Sequence, residues 1–153
     1  MKIIGFNFTK MNASKERLAK FTNSSIHSNF EFTNLEKDSL DLIKEGEVLK
    51  LCFQFFTIYS QKKEIKDVEE KDKDAEVSFA GEVVLLVDKD ESKEFDKTWK
   101  KKQIPEQMAE HIINVIFRRC MTKAISFQDE LGIPSPFLKI PPIGLKYSQT
   151  QTT

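Results

Sequence analysis

Residues 105–131 constrain this chain more than any other stretch. Pro105 suits the first turn of a helix, Glu106 and Glu110 favour its positive end, and Gly132 stands just past its last turn. At 1.5 Å per residue the helix is roughly 40 Å long, which is long for one small domain. Set at about 100° each, Ala109, Ile113, Ile116, Phe117, Cys120, Ala124, Phe127 and Leu131 form a central apolar stripe. Met108, Ile112 and Val115 widen it on one side in the first half, Met121 and Ile125 on the other side in the second. The arc approaches roughly 180°, against about 100° for a helix lying on one sheet. Such a face needs two burial partners: its own sheet, and either another copy of the chain or the proline-rich segment that follows. We expect the former, an oligomer with Ile112, Ile113, Ile116, Phe117 and Cys120 at the interface.

The sheet is read from alternation. Residues 2–9 form a short strand with Ile4, Phe6 and Phe8 on one face. Residues 13–20 make either a helical turn or two, or a connecting loop. In 24–35, Ile26, Phe30 and Phe32 oppose His27, Asn29, Glu31 and Thr33. A charged stretch then ends in a turn at Glu45-Gly46-Glu47. Residues 48–60 give the strongest strand, with Leu49, Leu51, Phe53 and Phe55 on one face and Cys52, Phe56 and Ile58 on the other. The run 61–76 is charged and reads as a solvated hairpin loop. Residues 76–88 return as a strand with Val77, Phe79, Val83, Leu85 and Val87 aligned, and Gly81 marks a bulge. From Lys89 to Lys102 the chain is charged again, with Trp99 anchoring the connection to the helix. The expected fold is α+β: a four-stranded antiparallel meander, one long C-terminal helix, then a proline-rich segment. One domain covers 1–147, and 148–153 is a polar tail.

Composition excludes some functions. Lys plus Arg (24) equals Asp plus Glu (24) over 153 residues, so nothing draws the chain to nucleic acid or an anionic membrane. Most basic residues are lysines, and few arginines means little bidentate phosphate recognition. No run reaches the roughly 18 apolar residues of a membrane span, and the N-terminus lacks a secretion-signal pattern. The two cysteines, Cys52 and Cys120, sit in apolar patterns and read as buried thiols, which fits a reducing cytoplasm. Chemistry is sparse as well. There is no glycine-rich phosphate loop and no nucleophile elbow, and His27, His111, Cys52 and Cys120 form no metal-ligand pair. No catalytic residue, metal or cofactor is expected. What stands out is thirteen phenylalanines, more aromatic surface than one small core needs. The expected function is non-enzymatic binding.

The segment Gly132–Leu145, GIPSPFLKIPPIGL, carries four of the five prolines among apolar residues. Its prolines exclude helix and strand ladder, so it lies extended with few donors to satisfy. With the order of four strands and a long helix, it resembles the SecB-type preprotein chaperones. That family ends its long helix near an Arg-x-Cys element, reaches a glycine, and runs Pro-x-Leu-x-Leu-x-Pro-Val-x-Phe. Here Arg118 to Cys120 matches the first part and Gly132 the glycine; Pro136, Leu138, Ile140, Pro142, Ile143 and Leu145 match the rest with conservative changes. The match is best over 103–145; over 1–90 it is only an ordering of strands.

The resemblance implies an ATP-independent holdase without cofactor, a dimer of dimers whose long helices lie between eight-stranded sheets. Clients, unfolded or non-native polypeptides and among them preproteins for export, would lie in apolar grooves. The candidate groove residues are Phe137, Leu138, Ile140 and Ile143 from the proline-rich segment, and Phe30, Phe32, Phe53, Phe55 and Phe56 from the sheet. Three features depart from the family. Only Tyr147 and the tail SQTQTT follow where a second helix would cover the groove. About four extra residues separate the Arg-Arg-Cys element from Gly132. The charge is neutral, whereas members that dock on the translocase motor are acidic, so motor docking does not follow. The alternative is an oligomeric adaptor or assembly subunit that binds one specific protein.

Overall fold

The computed structural model describes residues 1–38 and 46–136. Four strands, β1 (Lys2–Lys15), β2 (Ser25–Asp38), β3 (Glu47–Ser60) and β4 (Lys73–Val87), form one antiparallel sheet. Two helices follow, α1 (Lys89–Trp99) and α2 (Glu106–Leu131). The α+β class and the long C-terminal helix are as the sequence predicts.

The strand order is β1-β4-β3-β2, which corrects the expected simple meander. Only β2, β3 and β4 follow one another; β1 lies beside β4, the order of a Greek key read from its other end. Residues 16–24 therefore cross the end of the sheet as a connecting loop, the second of the two readings of this stretch, with a hydrogen-bonded turn from Ala19 N–H to the Glu16 carbonyl (3.1 Å) and no helix. β1 instead runs on to Lys15. The crossing is tied down by Glu16 N–H to the Asp74 carbonyl (2.8 Å) and Ser24 Oγ to the Asp74 carboxylate (3.2 Å). Gln61 Nε2 also donates to Lys20 C=O, at 3.1 Å.

Alternation holds best in the two central strands. Leu49, Leu51, Phe53, Phe55 and Tyr59 of β3 and Val77, Phe79, Val83, Leu85 and Val87 of β4 are all buried on the helix side. Register shifts between Ile3 and Gly5, and between Phe8 and Lys10, break the period in β1. The first puts Ile3, not Ile4, in line with Phe6 and Phe8, and Ile4 is exposed. The second lies opposite Gly81, so the bulge expected near that glycine belongs to the partner strand. Gly81 has its own reason to be bare. A Cβ there would meet the Asn7 carbonyl oxygen at 2.4 Å and Phe53 Cζ at 2.8 Å. The Phe53 ring thus occupies the space a side chain would take.

The connection 61–72 carries two short 3₁₀ turns, held by surface ion pairs such as Lys66–Glu64 and Lys71–Glu69. α1, within a stretch read from the sequence only as charged, begins at a capping box. The Asp88 carboxylate accepts from the N–H groups of Asp90 and Glu91, and Glu91 accepts from the Asp88 N–H. One face buries Phe95 completely and places Ser92 Oγ on the Glu47 carboxylate. α2 lies along the same side of the sheet. Its last turn closes through Gly132 in the left-handed region (φ 64°), with Ile133 N–H on the Gln128 carbonyl at 2.8 Å. Ile133 then turns into the core.

Candidate functional site: an apolar groove between β2 and α2

The buried stripe of α2 is Met108, Ile112, Ile116, Cys120, Ala124 and Gln128, one residue every fourth position. This is displaced from the centre expected from the sequence. The next row, Ala109, Ile113, Phe117, Met121 and Ile125, is only half-buried. The interface candidates therefore divide. Ile112, Ile116 and Cys120 are 0% exposed against the chain's own core and cannot meet another subunit, while Ile113 and Phe117 stand at its margin. Burial pushes the Cys120 thiol up to about 12, so it is an inert apolar filler. Burial also raises Cys52, with Glu36 and Glu82 adding to the effect.

Beside that half-buried row, β2 is the sheet's edge strand. Between the two runs an open groove of about 820 Å³. Phe30 and Phe32 form its strand wall; Ile104, Ala109 and Ile113 form its helix wall. The two rings sit edge to face with centroids 5.0 Å apart, and Phe30 also lies 5.2 Å from Phe117. A fixed aromatic pair of this kind gives apolar contact area at little entropic cost.

Lys102 and Gln103 close one end of the groove. Lys102 has φ 57°, a left-handed conformation that normally favours glycine. Its N–H caps α1 on the Trp99 carbonyl at 2.8 Å. Its ammonium lies 5.1 Å from the Trp99 ring centroid and donates to the Thr33 carbonyl at 3.4 Å. The end of α1 is thereby joined to β2, and Trp99 anchors the connection as the sequence suggests. The remaining rim is polar, with Glu31 and Glu106.

Of the sheet phenylalanines expected at a groove, the structure brings two together there. Phe53 and Phe55 are 1% and 2% exposed, so they are core beneath the groove and not its wall. Phe56 is half-buried on the opposite face of the sheet, in register with Asn29 and Ser78. Phe137, Leu138, Ile140 and Ile143 lie outside the described residues. Sequence reasoning missed Ile104 and Lys102 as site residues. Ile104 stands next to Pro105, where an apolar residue ahead of a helix commonly packs back on it, and that was the available signal.

Among the described residues, no three His, Cys, Asp or Glu side chains converge to hold a metal ion, and no helix is long and apolar enough to cross a membrane. What the groove offers is apolar contact and an adjoining strand edge. Comparison with known proteins adds no relative: no family model, curated protein or solved structure matches this chain.

Proposed function

We propose that the protein is an ATP-independent holdase that takes apolar side chains of non-native polypeptides into the β2–α2 groove and works as an oligomer. The observation that carries this reading is an open groove walled by Phe30, Phe32, Ile104, Ala109 and Ile113. Full burial of one leucine-sized side chain contributes about 1.5–3 kcal/mol, so one or two such contacts give affinity that is useful and quickly reversed. The walls are apolar and the polar groups stand at the rim, which suits many sequences better than one. The neighbouring β2 edge offers backbone donors and acceptors to an extended client. Phe117, with Met121 and Ile125 further along α2, provides the apolar surface on which copies would assemble.

The test is suppression of aggregation of an unrelated, thermally unfolding enzyme, followed by light scattering without ATP. The wild-type chain is expected to suppress scattering near stoichiometric amounts. Phe32→Glu, at the half-exposed wall, is expected to fold and to lose most of that effect. Because Lys102 lines the groove and covers Trp99, the single tryptophan, client binding is also expected to shift its emission. Full suppression by Phe32→Glu, or none by wild type at several-fold excess, would refute the proposal.

A further inference from the structure

On the other flank of α2 a second cleft, of about 370 Å³, lies against β1. Phe6 forms its strand wall, and His111, Asn114, Val115, Arg118 and Arg119 form its helix wall. Two of the chain's three arginines meet here. The Arg119 guanidinium lies 4.9 Å from the Phe6 ring centroid. Stacking of this kind uses the flat face of a guanidinium and leaves its edge N–H donors available. Among the described residues, neither Arg118 nor Arg119 has an ion-pair partner. His111 and Asn114 add further polar groups to the same wall.

The surroundings sharpen the asymmetry. Between His111 and Gln128 the helix has no aspartate or glutamate, yet it carries Arg118, Arg119 and Lys123. The helix-facing positions of β1 nearest the cleft, Ile3, Phe6 and Phe8, bring no acid either. In a chain whose charges balance, this flank carries a strip of uncompensated positive charge about 7.5 Å long, from Arg118 to Lys123 at 1.5 Å per residue. A compact anion would engage only the arginine pair. Carboxylates spaced along an extended chain would engage the whole strip, with Phe6 and Val115 packing on the stems between them.

We infer that this cleft docks an acidic segment of another polypeptide, with carboxylates held by the forks of Arg118 and Arg119. The assignment does not depend on the holdase reading, since the two sites lie on opposite flanks of α2.

The experiment measures fluorescence anisotropy of labelled octaglutamate with the full chain at low ionic strength. Binding is expected, with affinity falling by about tenfold or more in Arg118→Gln/Arg119→Gln. The control, Lys62→Gln/Lys63→Gln, removes the same charge from the β3–β4 connection and is expected to leave affinity within about twofold. Arg119→Lys, which keeps charge but loses the planar fork, is expected to restore only part of the binding. Equal losses in both double variants would reduce the effect to net charge and overturn the site. Undetectable binding to wild type would also overturn it. Displacement of the peptide by inorganic phosphate at matching concentration would assign the cleft to a compact anion instead. The arginine variants are expected to suppress aggregation as wild type does, which separates this outcome from the groove's.

Discussion

At the scale of single residues, Tyr59 joins more of the structure than its place at the end of β3 suggests. It is fully buried, meets the Phe21 ring edge to face at 5.7 Å, and donates its hydroxyl proton to the Pro134 carbonyl. The Gln128 side-chain N–H donates to the same hydroxyl at 3.1 Å. The start of the proline-rich segment and the last turn of α2 are thus fixed to the sheet through one oxygen. Burial pushes the phenol up to about 12, against the smaller opposing pull of the Gln128 hydrogen bond. The unfolded value is about 10, so the neutral phenol's advantage is intact below pH 10 and is lost as pH rises toward 12. Tyr59→Phe is expected to lower stability at pH 7 by about 1–2 kcal/mol, because it leaves the Pro134 carbonyl and the Gln128 side-chain N–H without their partner. Urea unfolding above pH 10 is expected to show the two proteins converging by about 1.4 kcal/mol per pH unit. Parallel curves would mean that Tyr59 titrates normally. Residue type was legible at this scale, but residue role was not. Phe30, Phe32, Phe53 and Phe55 follow the same alternation; the first pair lines a groove and the second is core. The difference is that β2 is an edge and β3 is central, which no local pattern records.

At the scale of elements, the termini of α2 were legible because their signals are local. Pro105 stands at the cap and Gly132 at the left-handed exit, each where backbone sterics require it. α1 was hidden by its charge, since a helix that buries little beyond Phe95 and Ser92 has too few apolar positions to show a period. Its capping box was the readable trace: Asp88 and Glu91, three residues apart, just before a regular spacing of Ser92 and Phe95. Asp88→Ala removes acceptors for two N–H groups and is expected to cost about 1 kcal/mol in denaturant unfolding. Asp88→Asn keeps a capping oxygen and is expected to recover most of that loss. The position of the buried stripe on α2 was missed by about one row. Gln128 occupies its end because Tyr59 receives the amide, and a glutamine is not counted when apolar positions are.

At the scale of the whole molecule, alternation named four strands and could not say which lie side by side. β1 reads as the natural neighbour of β2, yet it pairs with β4 across the sheet, and only the crossing of 16–24 with its anchors at Asp74 makes that possible. The long helix did carry a molecular-scale signal. Its apolar arc is too wide for one sheet, and the structure divides that arc in two. Ile116 is spent on the chain's own core, while Met121 stands half-buried in the next row and lines neither the β2–α2 groove nor the β1 cleft. The division predicts opposite outcomes for the same substitution. Ile116→Glu buries an unpaired carboxylate in a close-packed core and is expected to prevent folding, read as loss of a cooperative circular-dichroism transition. Met121→Glu is expected to leave that transition within about 0.5 kcal/mol of wild type while lowering the mass seen by light scattering, because the carboxylate would sit between copies of the chain. If Met121→Glu keeps the wild-type mass, the outer row is not where copies meet. If the wild-type chain is already monomeric, the width of the arc has another cause and the oligomeric part of the proposed function fails with it.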